Sequence, residues 1–173
     1  MRPAPSIVKF ALGLGVIYGL LYFAYGAVPD QVLRSNVYFV GLVQPSASLV
    51  NFLGANEGAR AVMNQLISPR AVLEIVRGCD GSGALFLLIA AMLTFPATWR
   101  LKTLGIIAGA GAIYVLNLMR LVGLYFVAAY KPAWFLPLHT YFIPTLLIVL
   151  VCLLFMGWTA LATRPRDATP RST

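Results

Sequence analysis

Four long apolar stretches dominate the chain, and they predict four membrane-spanning helices. The stretches cover residues 7–28, 82–98, 104–129 and 138–162. A helix needs about 20 residues, each rising about 1.5 Å, to cross the hydrocarbon core of a bilayer. The second stretch is short for this, so it requires residues from the glycine-rich segment before it. The first is longer than the apolar part of a signal peptide, about 7–15 residues, and we interpret it as a retained helix.

The polar segment 29–81 between the first two stretches is expected to lie outside the bilayer. Residues 31–43 place apolar side chains among polar ones, as in an amphipathic helix that lies on a membrane surface. Pro45 is expected to end this helix, and residues 46–53 suit a second short helix. These features indicate a structured segment rather than a passive loop.

The remainder of this segment favours a short β-hairpin. Residues 59–66 and 71–77 are strand-like, and Ser68-Pro69 suits the turn between them. Such a hairpin leads the chain to Cys79. The sequence therefore predicts an all-α integral membrane protein, a single membrane domain with about four spans, in which the hairpin is a minor part of the external segment.

Composition agrees with a membrane protein. Apolar residues make up 60% of the 173 residues and charged residues only 10%, against about 45–50% and about 25% in soluble domains. This excludes a disordered chain, a disulfide-stapled secreted module and most soluble enzymes. The net charge of +8 raises nucleic-acid binding as an explanation, but the 13 basic residues are dispersed without a long basic run.

The distribution of the basic residues indicates that the net positive charge reflects the orientation of the chain in the membrane. Basic residues cluster before the first span, between the second and third, and after the fourth: Arg2 and Lys9; Arg100 and Lys102; Arg164, Arg166 and Arg171. The positive-inside rule makes these three regions cytoplasmic, including the tail 163–173. Both termini are then inside, and the segments 29–83 and 130–137 are outside. No nucleic-acid partner is predicted.

Three side chains are out of place in a lipid-facing helix, and the first of them is Cys79. It lies in a glycine-rich turn at the outer end of the second span. Asp80 or Ser82 suits the cap of the following helix. A helix N-terminus with Arg77 nearby favours the thiolate, whereas the adjacent Asp80 opposes it unless its carboxylate points elsewhere. A small, buried, inert side chain in a tight turn remains the alternative.

The second is Arg120, inside the third span. An arginine at bilayer depth normally faces protein or water, and Asn117, one turn earlier, is placed to hold the guanidinium through a hydrogen bond. If the helix runs to Ala129, Arg120 lies about 14 Å below its outer end. This favours a recessed polar pocket over an arginine that snorkels to the interface. Small residues lower in the same helix permit close packing: Gly105, Gly109 and Ala112.

The third is His139, the only histidine, at the outer start of the fourth span. By itself it suits an interfacial anchor as well as a proton carrier. No metal or other cofactor is predicted, because the spans contain no Asp or Glu and one His with one Cys is a poor ligand set. Cys152 lies about 20 Å further toward the cytoplasm, too far for a disulfide with Cys79, and we interpret it as a packing residue.

The predicted topology brings the three residues to one place. Cys79 and His139 fall at the same outer face, with Arg120 beneath them. A thiol, an imidazole and a fixed cation are the groups that acyl transfer through a thioester requires. The sequence thus points to a cysteine enzyme at the extracytoplasmic face.

These residues resemble the exosortase/archaeosortase family. The resemblance rests first on three motifs that each open or occupy a helix: Gly78-Cys79-Asp80-Gly81, Asn117-Leu118-Met119-Arg120 and His139. It rests also on two segments that are most similar to the short exosortase H and M branches: Leu93-Thr94-Phe95-Pro96-Ala97 and Lys131-Pro132-Ala133-Trp134-Phe135. It covers about residues 72–158. Residues 1–70 are similar only in having a spanning helix and an external segment.

The resemblance implies a membrane-embedded cysteine peptidase or transpeptidase of the bacterial cytoplasmic (inner) membrane, active at its periplasmic side. Cys79 would be the nucleophile, Arg120 the oxyanion stabiliser and His139 the general acid and base. The supporting residues would be Asn117, Asp80, Gly78 and Gly81. The partners implied are the lipid bilayer, exported proteins that end in a recognition motif, a spanning helix and a basic cluster, and an acceptor if the product is transferred.

One alternative from another class remains open at this stage. Arg120 and Asn117 are also the residues that a non-enzymatic membrane assembly or transport subunit would use to recognise a partner helix. The two hypotheses differ in their dependence on Cys79, which only the enzyme requires. A serine or metal protease lacks a suitable motif, since no His-Glu-x-x-His occurs.

Overall fold

The protein is mostly helical, and three of its helical segments are long and apolar enough to cross a membrane. The computed structural model describes residues 6–54 and 56–163. The three segments are α1 (Ile7–Gly26), α5 (Trp99–Tyr130) and the run Pro132–Ala162. The tail from Arg164 and the residue Arg2, both predicted to be cytoplasmic, lie outside the described residues.

The remaining elements come in the following order. A continuous helical segment consists of α2 (Asp30–Val32), a π-helical stretch (Leu33–Val43) and α3 (Gln44–Leu53). The strands are β1 (Arg60–Val62), β2 (Gln65–Ile67) and β3 (Val72–Glu74), followed by α4 (Ser82–Thr94). The run Pro132–Ala162 consists of a 3₁₀ turn (Pro132–Trp134), α6 (Phe135–Pro137), a π-helical turn (Leu138–Phe142) and α7 (Ile143–Ala162).

The predicted second span, 82–98, is the helix α4 of only 13 residues. The glycine-rich segment does not lengthen it, because Gly81 adopts a left-handed φ of 81° and marks the helix start, while Phe95 is extended and ends it. At about 1.5 Å per residue α4 is about 20 Å long, shorter than the hydrocarbon core. The third predicted span is instead longer than expected, since α5 begins at Trp99.

The predicted hairpin is a three-stranded antiparallel sheet in the order β1-β2-β3. The stretch 59–66 is not one strand, because the chain turns at Met63, which has a positive φ of 51°. Asn64 stabilises this turn: its carbonyl accepts the N–H of Ile75 at 2.8 Å, and its side-chain amide donates to the Ile75 carbonyl at 3.0 Å. The turn around Ser68 joins β2 to β3 as predicted.

Pro45 does not interrupt the helical segment 30–53. It lies inside this continuous segment and lacks the N–H that would donate to the carbonyl of Gly41, which instead accepts the hydroxyl of Tyr114 at 2.8 Å. The predicted surface helix also differs in what it buries. Leu33, Tyr38 and Leu42 pack into a protein core, whereas Val37 and Val40 of the same segment are exposed.

That core explains the length of α5. Leu121, Val122, Leu124 and Tyr125 of α5 are buried against the helical segment 30–53 and the sheet. At 32 residues α5 is about 48 Å long, well above the roughly 30 Å of a hydrocarbon core. The part of α5 beyond Arg120 therefore belongs to the unit formed by residues 29–81.

A buried carboxylate attaches this unit to the end of α5. Glu57 accepts hydrogen bonds from the hydroxyls of Tyr125, at 2.7 Å, and Tyr130, and its carboxylate lies 3.7 Å from Nε of Arg70. Each hydroxyl lies on α5, whereas Glu57 lies just before β1. The contact fixes the sheet against α5 and thereby sets the direction from which the chain approaches Cys79.

Small residues allow the long helices to pack closely, as predicted for Gly105 and Gly109. A Cβ at Gly105 would overlap the indole of Trp158 on α7, and one at Gly109 would overlap Leu88 on α4. On the other side of α4, a Cβ at Gly13 of α1 would lie 2.8 Å from Thr94. The helix α4 is thus enclosed by α1, α5 and α7.

Candidate active site

The turn that carries Cys79 joins β3 to α4 and depends on two glycines. Gly78 and Gly81 have φ values of 87° and 81°, in the left-handed region that glycine adopts without steric cost. The Cys79 N–H donates to the carbonyl of Val76 at 3.0 Å. A Cβ at Gly81 would lie 3.1 Å from Cγ of Asn117, so this position also requires close approach to α5.

The structure brings the thiol and the imidazole together although 60 residues separate them. Sγ of Cys79 lies 3.6 Å from Nε2 of His139. The imidazole stacks on the ring of Phe135, with centroids 5.3 Å apart and planes 7° from parallel. Among the described residues, Nδ1 of His139 has no hydrogen-bond partner. Both side chains are partly exposed, which leaves the contact accessible to a substrate.

Arg120 and Asn117 face inward from α5, with only 8% and 1% of their surfaces exposed. The prediction of a hydrogen bond between these two side chains is wrong. Nε of Arg120 and both amide atoms of Asn117 have no partner within residues 6–54 and 56–163, because Asn117 packs against the backbone of Gly81 instead. Buried polar groups normally are paired, and unpaired ones mark strain or a missing ligand.

The sequence left the charge state of Cys79 open, and the structure favours the neutral thiol. Burial raises the pKa of the Cys79 thiol above its ordinary value, and the neighbouring positive charge of Arg120 offsets this only in part. The nearby charge of Asp80 raises this pKa further. The thiol is therefore neutral at rest and needs a base to be activated.

Arg77 does not act on the thiol, because its guanidinium is engaged at the end of α1. It donates to the carbonyls of Tyr25 at 2.8 Å, Gly26 at 3.1 Å and Val28, and forms an ion pair with Asp30 at 2.8 Å. The Tyr25 carbonyl also accepts the N–H of Val28 at 3.2 Å, and Gly26 and Val28 lie at and just beyond the end of α1, so the arginine caps this helix end. Arg77 thus joins the base of the Cys79 turn to α1.

The carboxylate of Asp80 points away from the thiol, toward α1. It accepts the hydroxyl of Ser82 at 2.8 Å, the N–H of Ser82 at 3.3 Å and the hydroxyl of Tyr25. The Tyr25 hydroxyl in turn lies 2.7 Å from that of Tyr38. Sequence reasoning missed both tyrosines, since nothing local links position 25 or 38 to position 80.

This geometry predicts that Asp80→Asn makes Cys79 more acidic. Asparagine retains one oxygen that accepts from Ser82 and gains an amide that can donate to the Tyr25 hydroxyl, but it removes the negative charge that raises the pKa of the thiol. We expect iodoacetamide to alkylate Cys79 several-fold faster at a given pH, with the rate profile shifted to lower pH. The measurement is alkylation rate from about pH 6 to about pH 10, around the ordinary thiol pKa of about 8.5, in a Cys152→Ala background.

Asp30→Asn is the matched control for this measurement. It also removes one carboxylate from the same outer region, but Asp30 pairs with Arg77 rather than lying beside Cys79. Its alkylation profile should equal that of the parent protein. Coincident profiles for Asp80→Asn and the parent would show that Asp80 does not act on the thiol.

Cys152, interpreted from the sequence as a packing residue, is exposed on the surface of α7. It follows the buried Val151 by one position, and successive helical residues point about 100° apart. Both cysteines are free thiols. Cys152 therefore provides an internal reference for the chemistry of Cys79.

The arrangement suits thiol chemistry without an evident metal centre. Within residues 6–54 and 56–163, no three His, Cys, Asp or Glu side chains lie close enough together to hold a metal ion. The chain matches no protein-family model, and no curated protein or solved structure is significantly similar to it. The resemblance to the exosortase/archaeosortase family therefore rests on the sequence motifs alone.

Proposed function

We propose that this protein is a membrane-embedded cysteine peptidase or transpeptidase of the exosortase type, which removes C-terminal sorting signals from exported proteins. The observation that carries the proposal is the 3.6 Å contact between Sγ of Cys79 and Nε2 of His139. A buried guanidinium, Arg120, acts electrostatically on the same thiol. Contact between a nucleophile and a base is the characteristic signature of covalent acyl transfer.

In the proposed reaction, Nε2 of His139 takes the proton from Cys79 as Sγ attacks the carbonyl carbon of the scissile peptide. The carbonyl oxygen becomes an oxyanion, and Arg120 stabilises it. Collapse of this intermediate breaks the C–N bond, and the imidazolium returns its proton to the departing amine. The resulting thioester is then cleaved by water, which gives hydrolysis, or by an acceptor amine, which gives transpeptidation.

A neutral thiol fits this sequence of steps. Because the pKa of Cys79 lies above its ordinary value, general-base removal of the proton has to accompany attack. His139 is the titratable group in contact with Sγ. The two residues would therefore act as a pair, and neither is sufficient alone.

The proposed topology has four crossings, with both termini in the cytoplasm and the site at the periplasmic face. The helix α4 is short, but it runs antiparallel to α1 over most of that helix. Tyr25, near the outer end of α1, contacts Asp80 before α4, and Gly13, one to two turns from the inner end, meets Thr94 at the end of α4. The connection 95–98 would complete the crossing.

In this topology the site lies at the outer membrane interface rather than deep in the bilayer. The part of α5 from Trp99 to Arg120 is about 32 Å long, close to the thickness of the hydrocarbon core. The residues after Arg120 are covered by the segment 29–81. An exported substrate whose anchor starts at the interface would present its cleavage sequence at this height.

The proposal is tested with a reporter that carries the predicted type of tail. Candidate tails are C-termini encoded in the same genome that combine a short motif, a spanning helix and a basic cluster. Co-expressed with this protein, such a reporter should lose its tail, as shown by a shorter product and by mass analysis of the new C-terminus. A reporter with the same helix and basic cluster but a scrambled motif should stay intact. No cleavage of any such tail would contradict the proposal.

The alternative of an assembly or transport subunit finds less support. Recognition of a partner helix through Arg120 and Asn117 requires these two side chains to lie on the outer surface of the bundle. Asn117 and Arg120 are buried at 1% and 8% exposure, and they face α4 and the Cys79 turn. A partner helix would not reach them without displacing elements of this chain.

A further inference from the structure

A cavity of about 320 Å³ opens next to the catalytic pair, between three helices. We call it the membrane-side cavity. Its walls come from α1, α4 and α7: Tyr18; Gly83, Ala84 and Leu87; Leu147 and Ile148. Its volume is near the lower end of the roughly 300–1,000 Å³ typical of ligand pockets, so it suits a short segment rather than a whole helix.

The cavity is continuous with the site at its upper end. Gly78 and Gly81, which flank Cys79, line it together with Arg120. Nε of Arg120 has no partner among the described residues although the side chain is more than nine-tenths buried. The cavity thus has a charged donor, the Arg120 guanidinium, at the end that meets the Cys79 turn, and its other side chains are apolar except for the hydroxyl of Tyr18.

The cavity extends from the site toward the inner end of the bundle. Leu87 lies five residues into α4, about 8 Å below its start, and Ile148 lies nine residues after His139, about 13 Å further along its helix. Phe10 of α1 and Phe155 of α7, with ring centroids 6.2 Å apart, are in contact nearer the inner end. Ile148 is 54% exposed, so the cavity opens to the surface of the bundle above that contact.

We propose that the membrane-side cavity binds the first apolar residues after the scissile bond, and that Arg120, at its entrance, meets the carbonyl of the scissile bond itself. The identity of this occupant rests on the function proposed above, in which a membrane anchor follows the cleaved bond. The part of a substrate that enters a space between spanning helices has to be apolar, since a polar segment would lose its hydration without a partner. The lack of a Cβ at Gly83 leaves room for that segment beside α4.

The affinity of the cavity for an apolar chain can be measured without a peptide substrate. N-alkyl maleimides place their alkyl group next to the thiol that they modify. We expect N-hexylmaleimide to modify Cys79 at least about tenfold faster than N-methylmaleimide, because each buried methylene contributes about fourfold. The ratio of the hexyl to the methyl modification rate at Cys79 is divided by the same ratio at Cys152. Because Cys152 is exposed on α7, its ratio measures only the partition of the reagents into the membrane.

Gly83→Leu should abolish the preference for the hexyl reagent by filling the cavity. The substitution is compatible with the helix, because a Cβ at this position would meet only the Tyr18 hydroxyl, at 3.9 Å. Gly111→Leu on α5 is the matched control, since nothing lies within 4 Å of a Cβ there, and it should keep the preference.

Two outcomes overturn the inference. One is equal modification of Cys79 by both reagents after division by the Cys152 ratio. The other is an equal effect of Gly83→Leu and Gly111→Leu. Both are independent of reporter cleavage. A hexyl preference without any cleavage would support binding of an apolar chain in the cavity and contradict the proposed peptidase activity. Cleavage without a hexyl preference would support the peptidase activity and contradict binding in the cavity.

Discussion

Replacement of Cys79 by alanine is expected to abolish reporter cleavage while the amount of protein in the membrane stays unchanged. In an enzyme that forms an acyl intermediate, loss of the nucleophile typically costs about 10⁶-fold in rate. Cys79 lies in a turn, half-buried, and makes no hydrogen bond other than those to the site and to Val76 through its backbone, so alanine fits the same space. The measurement is cleavage per molecule of membrane protein.

Cys152→Ala is the matched control and should be close to neutral, since that thiol lies exposed on α7. A membrane-impermeant maleimide, added from outside to intact cells, should label Cys79 and spare Cys152, which the bilayer covers in the proposed topology. Equal loss of cleavage in the two variants, at equal abundance, would refute the assignment of Cys79 as the nucleophile. Labelling of Cys79 only after the membrane is opened would refute the orientation.

Removal of the Arg120 guanidinium should have the next largest effect. Loss of one oxyanion donor typically costs about 10²–10³ in rate. Lysine retains the charge but not the planar set of donors, so Arg120→Lys should keep a trace of cleavage and Arg120→Leu essentially none. Removal of a charge from an apolar span also removes its insertion cost, so membrane abundance should change little in Arg120→Leu, and in Arg120→Lys the charge is kept.

Arg77→Leu is the matched control for an arginine with a structural role. Arg77 caps the end of α1 and pairs with Asp30, so its loss leaves carbonyls unpaired and should lower abundance. Normal cleavage per molecule in Arg120→Leu would contradict the catalytic role, however much protein remained. A fall in abundance equal to that of Arg77→Leu would show instead that Arg120 braces the bundle.

The candidate residues were recognisable in the sequence because each one conflicts with its surroundings. An arginine within an apolar span, a single histidine at the start of another and a cysteine among glycines are unfavourable or unusual unless they have a role. Their contact could not be derived in the same way. Cys79 and His139 meet because α4 and the helix that follows His139 pack side by side, and that depends on the fit of whole helix surfaces.

The residues around Cys79 show where local reasoning fails. Arg77 is two positions from the thiol in sequence, yet its guanidinium turns to α1, where several carbonyls and a carboxylate offer more hydrogen bonds than one thiol. Tyr25 is 54 positions from Cys79 and contacts its neighbour Asp80. Partners of polar groups are chosen among all donors and acceptors that the fold brings near, so proximity in sequence is a poor guide.

The sequence by itself predicted four apolar spans, three of which are long helices in the structure, and the candidate Cys, Arg and His, because hydropathy and the cost of a buried charge are properties of short stretches. Only the tertiary structure decided that α4 is short, that the external segment forms a three-stranded sheet, and that α5 continues beyond the bilayer thickness into the core of that segment. An apolar side chain has the same hydropathy whether lipid or protein covers it. The residues of α5 beyond Arg120 are apolar for packing against the segment 29–81, and only the folded chain reveals that covering.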